Sequence, residues 1–137
     1  MMKRFALATA ALGLLAAPIV HADEPVEMTK GEKRLAKMLE GRVAGKPESC
    51  ITMLGSRSLT RINDTALVYK SGNTVWVNYT KTPDAIDNRD YMVIRKFSGS
   101  QLCRTDNITL RDRFSNMFSG AIFLDDFVPY RLPEGEG

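Results

Sequence analysis

The pattern of apolar and polar positions divides the chain into three unlike stretches. Residues 5–17 form an uncharged run rich in Ala and Leu, set between the cations Lys3 and Arg4 and the helix-breaking Pro18. This run is shorter than the ~20 residues that a helix needs to cross a bilayer. A basic start, an apolar core and small residues at Val20 and Ala22 are instead the parts of a secretory signal, with cleavage expected between Ala22 and Asp23. Residues 1–22 are therefore read as a signal peptide and residues 23–137 as a single domain, with no membrane span left in the mature form.

After a polar lead the period changes. Thr29 and Glu32 have the spacing of a capping box, in which each covers an otherwise unpaired backbone N–H at a helix start. Leu35, Met38 and Leu39 then repeat at helical spacing among Lys33, Arg34, Lys37 and Glu40, a narrow stripe that docks on a sheet. Gly41, Gly45 and Pro47 end the helix. From Cys50 onward the chain reads as short strands separated by turn residues, predicted over 59–62, 66–69, 74–79, 91–97, 108–110 and 121–124. The best-marked pair is the hairpin closed by Ser71-Gly72-Asn73, in which Val75, Val77 and Tyr79 share one face and Thr74, Trp76 and Asn78 the other. The expected fold is mainly β in an α+β arrangement. It is a small antiparallel sheet, barrel- or sandwich-like, with one N-terminal helix.

Charge matters only after the signal is taken away. The full chain is formally +3, but without Lys3 and Arg4 the balance is 17 Lys and Arg against 16 Asp and Glu. A nearly neutral domain gives no electrostatic footprint for nucleic acid. The sole histidine, His21, also leaves with the signal, which excludes Ser-His and Cys-His catalysis and imidazole metal sites from the mature chain. Cys50 and Cys103 are the only cysteines, and an even count in an exported chain predicts a disulfide between them. No Cys-x-x-Cys pattern marks a redox pair.

Other chemistry is weakly marked. Asp84, Asp87 and Asp90 supply oxygen ligands of the kind calcium prefers, but their spacing is not that of an EF-hand loop, and a solvated loop is the plainer reading. Asp125-Asp126 reads as a turn, and nothing singles out a carboxylate pair for glycoside hydrolysis. Trp76, Tyr69, Tyr79 and Tyr91 have the makings of a stacking platform, although strands use aromatics for packing as well. No catalytic, cofactor-binding or metal-binding residue is assigned.

Four stretches taken together resemble a known group. They are Lys46-Pro47-Glu48-Ser49-Cys50-Ile51, Thr65-Ala66-Leu67-Val68-Tyr69, Leu102-Cys103-Arg104-Thr105-Asp106 and Phe127-Val128-Pro129-Tyr130. The set is similar to a family of small exported, periplasmic proteobacterial proteins of uncharacterised activity, and the resemblance implies a periplasmic or secreted location. Tyr69-Lys70-Ser71-Gly72-Asn73 also resembles the Ser-Gly loop that periplasmic inhibitors of C-type lysozyme insert into the enzyme's cleft. The leading expectation is a non-enzymatic envelope protein that binds a partner or ligand, such as an envelope protein or a cell-wall component. The alternatives are an inhibitor of a cell-wall hydrolase acting through Ser71 and Gly72, and a carboxylate-based hydrolase.

Overall fold

Residues 66–69 are buried at every position, not at alternate ones. Side chains alternate across a strand, so such burial requires cover on both faces of the sheet. The computed structural model describes residues 13, 26–53, 59–97 and 99–134. Apart from Gly13, the proposed signal and its Ala22–Asp23 junction lie outside the described residues. Helix α1 spans Lys30–Met38 and is followed by strands β1 (Val43–Ala44), β2 (Cys50–Thr52), β3 (Thr60–Ile62), β4 (Ala66–Ser71) and β5 (Thr74–Asn78). A 3-10 turn at Pro83–Ala85 precedes β6 (Tyr91–Arg95), β7 (Gln101–Cys103), β8 (Asn107–Arg111), β9 (Phe118–Phe123) and β10 (Val128–Arg131).

All pairings are antiparallel. They build a five-stranded sheet in the order β1-β10-β5-β4-β3, a three-stranded sheet β6-β8-β9 and the pair β2-β7. One face of the large sheet gathers Ile62, Ala66, Val68, Val75 and Val77 beneath Leu35 of α1. The other face presents Leu67, Tyr69 and Trp76 to Ile108, Leu110 and Ile122 of the three-stranded sheet and to Leu102 of β7. The result is a sandwich with a helix on its outer side, and no closed barrel. The hairpin faces follow the expected alternation, with Val75 and Val77 toward the helix and Trp76 toward the second layer.

The helix starts where its capping box places it. Thr29 Oγ1 accepts from the Glu32 N–H at 3.2 Å, and Glu32 Oε2 accepts from the Thr29 N–H at 2.8 Å. Its first turn is pressed against the β3–β4 turn at Gly31. A Cβ built on Gly31 would lie 2.0 Å from Thr65 Oγ1 and 2.7 Å from the Asn63 carbonyl oxygen. Glycine inside a helix costs about 0.5–1 kcal/mol relative to alanine, and here it allows the approach that seats the helix.

Cys50 and Cys103 are joined, facing each other in the β2–β7 register. The Arg104 N–H donates to the Ser49 carbonyl and the Met53 N–H to the Ser100 carbonyl. Alternation between these bonds places the cysteines at a non-hydrogen-bonded site, where facing Cα atoms come closest, here 4.0 Å. Closing a loop with a sequence separation of 53 residues stabilises the fold by roughly 4 kcal/mol in the chain-entropy model.

Four strands went unpredicted: β1, β2, β7 and β10. Each has two to four residues, too few for a period to show on its own; β3 is as short, but the apolar ends of its run and the Asn63-Asp64 turn after it mark it as a strand. Strand β10 also carries Pro129, yet it lies between β1 and β5. The Pro129 carbonyl accepts from the Gly45 N–H on the β1 side. Its missing N–H falls on that same side, at the place where β1 ends, so the ladder to β5 is unaffected.

The seating of α1 is directly testable. Gly31→Ala adds a good helix former, but the steric conflict with backbone and Thr65 outweighs the roughly 1 kcal/mol of helix propensity. A loss of about 1–3 kcal/mol in urea unfolding is expected; an increase in stability would show that the contact is not tight.

Candidate functional site

Helix α1 lies over a sheet face that is buried throughout, at Ile62, Ala66, Val68, Val75 and Val77. Beside it runs a groove of about 700 Å³, walled by Leu35, Ala36 and Leu39 of α1, by Asp64 and Thr65 of the β3–β4 turn, and by Tyr79, Thr80 and Pro83. Val26 and Met28 of the lead and Glu32 also line it. Most of this lining is apolar. Concave surfaces of this composition, with a few polar groups converging, are the usual form of ligand sites.

Next to the groove, one buried amide organises the backbone at Thr80. Asn78 is 1 % exposed; its Nδ2 donates to the Asp125 carbonyl at 2.6 Å. Its Oδ1 accepts from the N–H groups of Thr80 and Asp125, each at 3.0 Å. The Asn78–Thr80 bond is a side-chain-closed turn of the kind Asn favours. It holds Thr80 at φ 54, in the left-handed region, where a β-branched residue is strained. Thr80 is 7 % exposed, and its Oγ1 has no hydrogen-bond partner among the described residues. Buried polar groups are nearly always partnered, and an orphan hydroxyl costs about 1–3 kcal/mol. Strain and an unspent hydrogen-bonding group thus coincide at one residue of the groove.

Tyr79 borders the groove as well. Its hydroxyl and that of Tyr130 form a short hydrogen bond, which joins the chain leaving β5 to β10. Burial first, and then this bond and the neighbouring Tyr130, raise the Tyr79 pKa above the ordinary phenol value. Tyr79 therefore acts as a hydrogen-bonding element and not as a charge at neutral pH.

The residues singled out in the sequence are spread elsewhere. Ser71 and Gly72 sit at the far tip of the β4–β5 hairpin, where Ser71 pairs with Thr74 around Gly72 at φ 57. Arg42 Nη1 donates to the Asn73 carbonyl at 2.6 Å and ties this tight turn to the sheet. Asp84, Asp87 and Asp90 do not gather with other acidic residues into a cation-holding group among the described residues. Asp87 folds back on its own loop. Burial pushes its pKa up, but the N–H groups of Asp90 and Arg89 and the Arg89 guanidinium outweigh this and leave the carboxyl below its ordinary value. Asp90 Oδ2 accepts from Ser119 Oγ, and Asp126 pairs with Arg104 at 3.1 Å.

The aromatics do not form one platform. Tyr69 is buried in the core, Trp76 packs on that core with Arg131 5.7 Å over its ring, and Tyr79 faces the groove. Asn78 and Thr80, the residues that organise the site, were missed. The Asn-x-Thr spacing carries the signal of a side-chain-closed turn, but a run continuing from Val77 to Tyr79 reads first as strand.

No family model, no curated protein and no solved structure matches the chain.

Relief of strain gives a stability test. Thr80→Gly removes a left-handed β-branched residue, worth about 1–3 kcal/mol, and the orphan hydroxyl with it. The added freedom of glycine in the unfolded chain takes back about 0.4–1 kcal/mol. A net gain of about 1 kcal/mol is expected from chemical denaturation; a loss would mean that the left-handed backbone carries no strain.

Proposed function

We propose that this protein is an exported, non-enzymatic envelope protein that holds a small amphipathic ligand in the groove beside α1. The apolar body of the ligand lies along Leu35, Ala36 and Leu39, and its hydrogen-bonding head lies beside Thr80, whose buried hydroxyl becomes a partner when the side chain turns toward the groove. The observation that carries this reading is Thr80, a strained residue with an unpartnered buried hydroxyl at the wall of a mostly apolar groove. Strained residues concentrate at ligand sites because binding uses what folding leaves unsatisfied.

Export rests on the signal-like residues 1–22, and the Cys50–Cys103 disulfide is of the kind that persists in an oxidising compartment. The non-enzymatic reading rests on a mature chain without histidine and on two cysteines that are joined to each other. A periplasmic location fits both. The Ser71-Gly72 turn gains no further support as an inhibitory loop, since it is short and fastened by Arg42.

Fluorescence of the apolar probe N-phenyl-1-naphthylamine, titrated with mature oxidised protein, tests this directly. Saturable enhancement at one site is expected. Ala36→Trp, which fills the groove from an exposed helix position, weakens it several-fold without lowering Tm. An absence of saturable binding, or binding indifferent to Ala36→Trp, would refute the reading.

A further inference from the structure

The groove beside α1 has a charge as well as a shape. Among the described residues, Glu32 and Asp64 are the only charged groups that line it, and both are acidic. Neither forms an ion pair among the described residues. Glu32 Oε2 accepts the Thr29 N–H in the capping box. Asp64 bonds through its backbone N–H to the Ile86 carbonyl, and its carboxylate takes no part in the hydrogen bonds of the described residues. Lys30, Lys33 and Lys81 are next to lining residues in sequence, but none of them lines the groove.

The fold brings the two carboxylates onto facing segments. At Gly31 the first turn of α1 meets the Asn63 carbonyl and Thr65 so closely that a Cβ would not fit. Glu32 follows Gly31, and Asp64 lies between those two contacts. A helix start opposes negative charge, but only by the equivalent of about half an elementary charge. Two carboxylates outweigh it, and the lining keeps a net charge of about −1.5.

We infer that the ligand of this groove is cationic, a small amphiphile with an ammonium head drawn to Glu32 and Asp64 and an alkyl body along Leu35, Ala36 and Leu39. The inference rests on the groove being a ligand site, and adds the sign of the charge that the site selects. An ammonium is a hydrogen-bond donor as well as a cation, and donors are what a carboxylate and the unpartnered Thr80 hydroxyl oxygen both accept. An anionic head meets two like charges and finds no cation in the lining, while a neutral head is indifferent to both carboxylates. The volume of about 700 Å³ lies in the range of small-ligand sites, which favours a small molecule over a protein segment.

Displacement of N-phenyl-1-naphthylamine from the mature, oxidised protein tests the inference, using octylammonium, 1-octanol and octyl sulfate below micelle formation. The three share one alkyl chain and differ in the charge of the head. Both carboxylates are exposed, and exposed ion pairs are weak. Octylammonium is therefore expected to displace the probe at about five-fold lower concentration than 1-octanol, with octyl sulfate the weakest of the three. The ratio of octylammonium to 1-octanol is expected to fall toward one in the double variant Glu32→Gln, Asp64→Asn. Gln preserves the capping bond and Asn the left-handed turn. Salt supplies a second measurement on the wild type, free of any effect on folding of the variant. Raising ionic strength from about 0.01 M to about 1 M shortens the screening length from about 30 Å to about 3 Å, and the preference is expected to vanish with it. Octylammonium no better than 1-octanol or octyl sulfate, or a preference indifferent to salt, would overturn the inference and leave the groove a ligand site. A probe that fails to bind saturably would overturn both.

Discussion

The large sheet is apolar on both faces, and that single constraint organises the molecule. Ala66 and Val68 of β4 need one cover, and Leu67 and Tyr69 need another. The second layer, tied together by Cys50–Cys103, supplies one. Helix α1 supplies the other, seated through Leu35 and brought close at Gly31. The two covers are unequal. A second layer of two ladders spans its face, whereas nine helical residues reach only about 14 Å. The groove lies beside the helix, between Leu35, Ala36 and Leu39 and the segments 64–65 and 79–83.

One residue lining that groove is set by the fold itself. Asn78 uses both its amide nitrogen and its amide oxygen on Asp125 and Thr80, joining the end of β5 to the approach to β10. The same bonds hold Thr80 in a conformation that few threonines adopt. Fold and site therefore share one network. A residue whose side chain fixes the path between two strands also determines which group stands at the groove wall. The Tyr79–Tyr130 contact adds a second link from the chain leaving β5 to β10.

The sequence carried the parts of the fold with a period long enough to see. The capping box at Thr29 and Glu32, the stripe from Leu35 to Leu39 and six of the strands were legible because alternation or helical spacing recurs within them. Strands β1, β2, β7 and β10 were not, because two to four residues carry no period and their existence depends on the partner they meet. Pro129 argued against β10, and only the side of the strand on which its missing N–H falls resolves the conflict. The site was less legible still. Thr80 is chemically ordinary in sequence; its backbone angle and its orphan hydroxyl arise from tertiary contacts of Asn78 and Asp125, 47 residues apart. The motifs that drew attention, Ser71-Gly72 and the Asp84–Asp90 loop, are satisfied within their own turns and leave little unspent.

The central claim is that the groove beside α1 is a ligand site and not merely a surface hollow. Its most direct test is an amide chemical-shift map of the mature, oxidised protein titrated with 1-octanol, an alkyl body with a hydroxyl head. The account predicts saturable shifts confined to the groove, at Leu35, Leu39, Thr65 and Thr80. Shifts that fail to saturate, or that spread over both layers without favouring these residues, would contradict it.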